Sequence, residues 1–287
     1  MPPSVLLVAH GSSQASGQAD MASLRDAVAA AAPQSQIRLG YLELSEPPAS
    51  TVLDEMIATG ADDVVIVPLM LHSAGHAKSD VPAIVLSGRE RHPQVRLSYA
   101  RPLGVDHALL TFARRRLEEC GGLGLPLLLG SRGTSDPDAN ATAYKIGRLM
   151  ADLSDTRLVV PGFSGMTWPT IPEALAELQR LGAERIVAFA WFLATGVLVD
   201  RMCDQYAQFT AETGVEVLDA GYFGVGDELI QLIIERAGEA AGTPVAVNCD
   251  TCAYRRPWPG LEDRVGSARG VGHSHLAADH LSHDGHA

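Results

Sequence analysis

The sequence predicts an α/β protein made of two similar domains, each a doubly wound parallel sheet. Two observations carry that prediction. Short, unbroken runs of Val, Ile and Leu alternate with amphipathic stretches of about a dozen residues, as expected of parallel strands covered on both faces by helices. The pattern then starts again after some 120 residues. Gly11, Gly40, Pro47 and Gly60 find counterparts in Gly133, Gly162, Pro169 and Gly182, each pair 122 positions apart. A unit of that size is a domain, not a solenoid repeat.

The elements follow in order. "SVLLVA" (4–9) reads as a buried strand, followed by a Gly/Ser loop and a helix over about 18–32. "IRLGYL" (37–42) is the second strand, and a helix opens at Pro47-Pro48 and runs to about Thr59. "DVVIVPLML" (63–71) is the third strand, with a helix over 80–91 behind it. "VRLSYA" (95–100) precedes a helix over 105–119. The second copy opens on "LPLLLGSRGTS" (125–135), and the helical tract "GVGDELIQLIIERAGEA" (224–240) closes it. Domains are therefore expected over 1–121 and 122–247. Residues 248–287 form a tail poor in apolar residues, with five histidines after position 272.

Composition narrows the function classes. Hydrophobic residues are 46% and charged residues 20% of the 287, enough apolar material for large cores. The net charge of −12 argues against nucleic acid and anionic membranes as partners. The start, "MPPSVLLVAHG", has no basic n-region and too short an apolar run for a signal peptide. The longest apolar run, 186–199, falls short of the roughly 18–20 residues of a membrane span. Four cysteines make no disulfide framework, and Cys120 and Cys203 read as helix residues. The expectation is a soluble, cytoplasmic protein. A fused pair supplies both walls of a binding site by itself, so a monomer is expected.

In open parallel sheets, ligands bind beyond the carboxyl ends of the strands. Three such ends in the first half carry metal-competent side chains: His10 after strand one, Glu43 after strand two, and His72 and His76 after strand three. Imidazole and carboxylate suit Co²⁺, Fe²⁺, Ni²⁺ and Zn²⁺ alike. A single loop histidine is more often an ordinary residue, but the second copy acts as an internal control. There His10 becomes Arg132, Glu43 becomes Gly165, His72 becomes Ala194, and His76 becomes Val197 or Leu198 according to where a one-residue gap falls. The backbone signals persist while every candidate ligand is lost. That favours one site per chain over a role in folding. No P-loop, G-x-G-x-x-G or G-x-S-x-G motif occurs, so no nucleotide cofactor is expected. Gly11, Ser12 and Ser13 offer backbone N–H groups at a helix start to an anionic substituent.

"LLVAHGSS", "YLELSEP" and "PLMLHSAGHAKSDVP" together resemble the class II chelatases of the sirohydrochlorin chelatase group, in their long, two-domain form. The "AGHAKSDVP" segment and the tail "NCDTCAYR" are most similar to the cobalt-inserting members. The resemblance implies ATP-independent insertion of Co²⁺ into sirohydrochlorin for cobalamin synthesis, in a cleft between the domains. Ferrous insertion for siroheme, or a metal-carrying or metal-sensing protein without catalysis, stands as the alternative. It also implies that His10, Glu43 and His76 bind metal and move protons, and it leaves His72 without a role. The substrate is a polycarboxylate and the chain is acidic, so the cleft needs local cations. Lys78, Arg132 and Lys145 are the candidates, with Arg132 at the sister position of His10. In the tail, Cys249 and Cys252 with His273, His275, His280, His283 and His286 read as metal storage or delivery. An Fe–S centre stays open there, although one CxxC supplies only two of four thiolates.

Overall fold

The computed structural model describes residues 2–242, so the Cys/His-rich tail and the expectations placed on it lie outside the described residues. The first half runs β1 (Ser4–Ala9), α1 (Ala15–Ala31), β2 (Ile37–Tyr41), α2 (Ala49–Ala58) and β3 (Asp63–Pro68). A π-helical turn (His76–Asp80) leads into α3 (Val81–Arg91), β4 (Arg96–Tyr99) and α4 (His107–Glu119). The second half runs β5 (Leu127–Ser131), α5 (Pro137–Leu153), β6 (Val159–Phe163), α6 (Ile171–Arg180), β7 (Arg185–Ala190), α7 (Val197–Thr213), β8 (Glu216–Asp219) and α8 (Asp227–Gly242).

Each half is a four-stranded, wholly parallel sheet, in the orders β2-β1-β3-β4 and β6-β5-β7-β8. Strand order reverses direction at β1/β3, the switch point where α/β sheets open a crevice at their carboxyl ends. The chain dictates this arrangement plainly. Val5, Leu7 and Ala9 point to one face of the sheet, and Leu6 and Val8 to the other. All five are buried, so the strand is apolar throughout instead of alternating. Cis peptide bonds at Glu46–Pro47 and Trp168–Pro169 fall at equivalent positions of the two copies.

The halves are not separately wrapped. α4, at the end of the first copy, packs on α5 and β7 of the second. α8, at the end of the second copy, packs on α1, β3 and β4 of the first, and α4 and α8 touch each other. One apolar core consequently runs from Val5, Leu7 and Val67 through Phe112, Ile233 and Leu229 to Leu129, Phe189 and Trp191. The expected boundary at 121/122 divides the sequence repeat but not the core. Two smaller cores lie on the outer faces of the two sheets.

Local differences from the expected elements have simple causes. β3 stops at Pro68 because the Leu69 amide makes the last bond to Val8 O, after which Met70 turns back to Pro68 O. α1 starts at Ala15, earlier than expected, and α3 is preceded by the π turn. No helix among the described residues is long and apolar enough to cross a membrane.

α8 is fastened by Arg236, whose side chain is only 1% exposed. Its guanidinium donates to Asp106 Oδ2 at 2.6 Å, Leu103 O at 3.3 Å and Glu239 Oε1 at 3.1 Å. Asp106 also caps α4 by accepting the Ala108 amide. Arg236→Met keeps a similar bulk but takes the guanidinium from Asp106 Oδ2 and from Leu103 O, while Glu239 keeps Arg101 at 2.7 Å, so stability should drop by about 1–3 kcal/mol. Urea unfolding of the two proteins side by side measures it.

Candidate metal centre

The site grows from three strand ends that the sheet order places side by side. His10 follows β1, Glu43 lies two residues past β2, and His76 opens the π turn beyond β3. The first two are tied through the main chain. The Leu42 amide donates to Ala9 O and the Glu43 amide to His10 O at 3.0 Å, so the sheet ladder continues two residues beyond its strands. Gly11 makes that approach possible. Its φ is +105°, and a Cβ there would stand 1.8 Å from Glu43 O, so no side chain fits. Ser45 then closes the loop, taking the Ser12 amide on Oγ at 3.0 Å and donating its hydroxyl to Ser12 O at 2.9 Å.

The three side chains converge. His10 Nε2 lies 2.8 Å from Glu43 Oε1, and the His10 and His76 rings meet edge-on with centroids 4.7 Å apart. One ligand atom from each of His10, Glu43 and His76 falls within 4.8 Å of the others. Metal bonds of about 2.0–2.2 Å need ligand atoms no more than about 4.4 Å apart, so a small inward movement of the side chains would let all three hold one ion. His10 Nε2 is out of contact with solvent and makes no hydrogen bond, because its short contact with Glu43 is off the direction a hydrogen bond needs. A buried acceptor left without a donor is unusual in a protein interior. On the other side of the triangle, His76 Nδ1 lies 2.5 Å from Oδ2 of Asp80, a carboxyl 3% exposed.

Electrostatics favour a neutral His10. Burial, then the charge of Arg132, then His76, lower its pKa from 6.5 to about 4, and Glu43 offsets this only in part. The imidazole therefore keeps a free lone pair at neutral pH. The influence of Arg132 also shows that the second half reaches the site. Further contacts bring the carboxyl ends of the two sheets face to face. Asp20 Oδ2 accepts from the Thr195 amide at 2.9 Å and from Tyr222 Oη at 2.8 Å, while Gln14 Nε2 donates to Asp200 Oδ2 at 3.1 Å.

The remaining sequence-predicted residues fall in different places. Arg132 is exposed and has no ion pair or hydrogen bond among the described residues, and its charge acts on His10. Lys78 is already engaged. Its side chain is 2% exposed, and Nζ donates to Asp136 Oδ2 at 2.7 Å and Asp138 Oδ2 at 3.1 Å, at the start of α5. It joins the two halves beside His76. Lys145 is exposed on α5. The Ser12 amide is spent on Ser45, and Ser12 Oγ accepts the Gln14 amide, so this loop binds itself before any ligand. Gly11 serves as a point of close backbone approach. Both ring nitrogens of His72 are buried without hydrogen bonds, and burial lowers its pKa to about 4.

The sister half holds no matching cluster among the described residues, and its loop shows why. Gly165 stands where Glu43 does, and a Cβ on it would lie 2.4 Å from Arg132 O, so that loop has closed over the space a carboxylate would need. Asp80 was missed by sequence reasoning. The signal that could have found it is an acid four residues after His76 in "HAKSD".

His10 and His72 make acid stability a test of this burial. Both have folded pKa values near 4, below the unfolded value of 6.5. Between those values the unfolded chain binds more protons than the folded one. Stability is thus complete above about pH 6.5 and falls as the pH descends toward 4. In His72→Leu the share due to His72 disappears, so urea midpoints at about pH 7.5 and about pH 5 should lie closer together than in the wild type. An unchanged separation would show that His72 is hydrated in solution.

Comparison with known proteins gives a consistent result. The family model CbiX matches twice, over residues 4–120 and 126–240. A sirohydrochlorin cobaltochelatase of Priestia megaterium is 40% identical over 223 residues, 75% of this chain and 72% of that protein. A sirohydrochlorin ferrochelatase of Bacillus subtilis is 27% identical over 246 residues, 84% and 93% of the respective chains. Among solved structures, SirB from Bacillus subtilis with Fe3+ superposes with a TM-score of 0.75 at 27% identity, covering 84% of this chain and 96% of that one. SirB from a second Bacillus subtilis subspecies, in complex with cobalt, gives 0.73 at 25% identity, with 85% and 97% covered.

Proposed function

The chain belongs to the CbiX family, and on that footing we propose that it inserts a divalent metal ion, cobalt in the first place, into sirohydrochlorin. The observation that carries the reading is the triangle of His10, Glu43 and His76 at the β1/β3 switch point, set against Arg132 of the other half. The 40% identity to a cobaltochelatase favours cobalt. Ferrous ion is the second reading, supported by the ferrochelatase relative.

The chemistry follows from the groups present. Insertion exchanges M²⁺ for the two pyrrolic N–H protons of the free-base macrocycle, so the site must strip water from the ion, aim it at the ring centre and receive protons. A neutral His10 can ligate the incoming ion. When the ion leaves for the ring, the same lone pair is free to take a pyrrolic proton. Glu43, 2.8 Å away, stabilises the imidazolium so formed and can pass the proton to solvent. No ATP is required, because chelation by four ring nitrogens supplies the driving force.

The macrocycle needs a charged rim contact and an apolar face contact. Arg132 supplies the first as a carboxylate clamp. For the second, Leu44 and its sister residue Met166 are 60% and 74% exposed in the loops after β2 and β6. Trp168 in the same β6 loop is 78% exposed, and that loop packs on the Arg132 backbone. Exposed apolar side chains at the mouth of a polar site suit the flat face of a tetrapyrrole.

An absorbance assay tests the proposal: sirohydrochlorin is mixed with Co²⁺, Fe²⁺ or Ni²⁺, with and without protein. The wild type should accelerate insertion, cobalt most, and His10→Ala or His76→Ala should lower the rate by about 10²-fold or more. No acceleration with any metal rejects the reading. Arg132→Ala should raise KM for sirohydrochlorin about tenfold or more with kcat little changed, and Trp168→Ala should move KM the same way. An unchanged KM removes either residue from the substrate surface.

A further inference from the structure

The two halves differ by one residue at the most telling place. Buried positions match at a spacing of 122 as far as Ala77 and Val199. From Val81 and Met202 onward, through Val85 and Tyr206 to Gly88 and Phe209, the spacing is 121. Three residues, Lys78, Ser79 and Asp80, thus occupy the stretch where the second half has two, Asp200 and Arg201. The extra residue is absorbed without breaking the helix. The Lys78 amide still bonds Ala74 O at 3.0 Å, as Asp200 bonds Gly196 O, but the Val81 amide reaches five residues back to His76 O. A single inserted residue is how a π turn enters a helix, and such turns gather at functional sites. The sister helix α7 is regular from Val197 onward.

The insertion brings a carboxyl group under a ligand. Asp80 Oδ2 is 2.5 Å from His76 Nδ1, the residue is 2% exposed, and its other oxygen, Oδ1, is buried without a hydrogen bond. A buried carboxyl with one oxygen on an imidazole and the other unused is expensive to keep for stability alone. The matching position in the second half, where there is no histidine to serve, is Arg201 or absent.

We propose that Asp80 is a positioning residue for His76. By accepting the Nδ1–H proton it fixes the imidazole as the tautomer whose lone pair is on Nε2, and it holds that nitrogen toward His10 and Glu43. A carboxylate behind a metal-binding imidazole sets ring orientation and strengthens the ligand. The metal part of this inference rests on the insertion reading above; the tautomer part does not.

Two measurements on the full chain separate them. With ¹⁵N-labelled histidine, long-range ¹H–¹⁵N spectra near pH 8 report the tautomer of each ring, the His76 signals being those lost in His76→Ala. The wild type should show a protonated Nδ1 at His76, and Asp80→Ala a mixture of tautomers. A protonated Nε2 in the wild type overturns the proposal whether or not metal is inserted. Co²⁺ titration followed by visible absorbance, taken as the difference from His76→Ala to remove tail binding, should show Asp80→Ala weakening the site by about tenfold or more. Equal affinity in folded Asp80→Ala also overturns it. Should alanine disturb the turn, Asp80→Asn keeps the shape but can turn its NH2 toward Nδ1, and it should weaken the site as well. If the expected tautomer is found but cobalt never enters the wild-type site, the insertion reading fails and the positioning role stands.

Discussion

The structure depends on the exchange of its last helices. α4 leaves the first sheet to cover the second, and α8 returns to cover the first, so neither sheet has a complete core without the other. A repeat joined by a flexible linker would leave its two crevices free to turn apart. Here the shared core fixes one orientation, with the carboxyl ends of both sheets facing each other across a single site. Bonds from Asp20 to Thr195 and Tyr222, and from Lys78 to Asp136 and Asp138, lie at the rim of that arrangement and act within a geometry the core has already set.

Within that frame the two copies have divided their labour. The first keeps a loop in which Gly11 lets the chain come close enough for His10 and Glu43 to meet. The second replaces both candidate ligands and closes the space with Gly165 against Arg132. The result is asymmetric by charge as well as by ligand. Neutral, desolvated His10 faces a guanidinium, so a lone pair on one side of the site stands opposite a positive charge on the other, the asymmetry that the proposed insertion requires. The π turn extends the same asymmetry, because only the copy that holds His76 carries the extra residue that brings Asp80 beneath it.

Much of this was legible in the chain. Strands buried on both faces betray themselves as unbroken apolar runs, and the 122-residue spacing exposed the repeat without any other sequence to compare. The three residues brought together by the fold were identifiable from their positions at strand ends, with the second copy as a control. Lys78 was read as a substrate cation, and in the fold its ammonium is held by two aspartates more than fifty residues away, a pairing that no local pattern signals. The spacing of His76 and Asp80 is not decisive in the sequence, because i,i+4 pairs are common on solvated helix faces and only the fold shows this carboxyl to be buried.

The sequence by itself determined the two parallel sheets and the residue types available for chemistry. These follow from side-chain patterns with periods of a few residues, and from repetition along one chain. Tertiary structure alone decided which sheet each terminal helix covers, how closely His10, Glu43 and His76 approach, and which cations remain open to a ligand. Amphipathic helices such as α4 and α8 are apolar on one face whichever sheet they meet, so their pattern carries no address; only the packing of the whole core selects one.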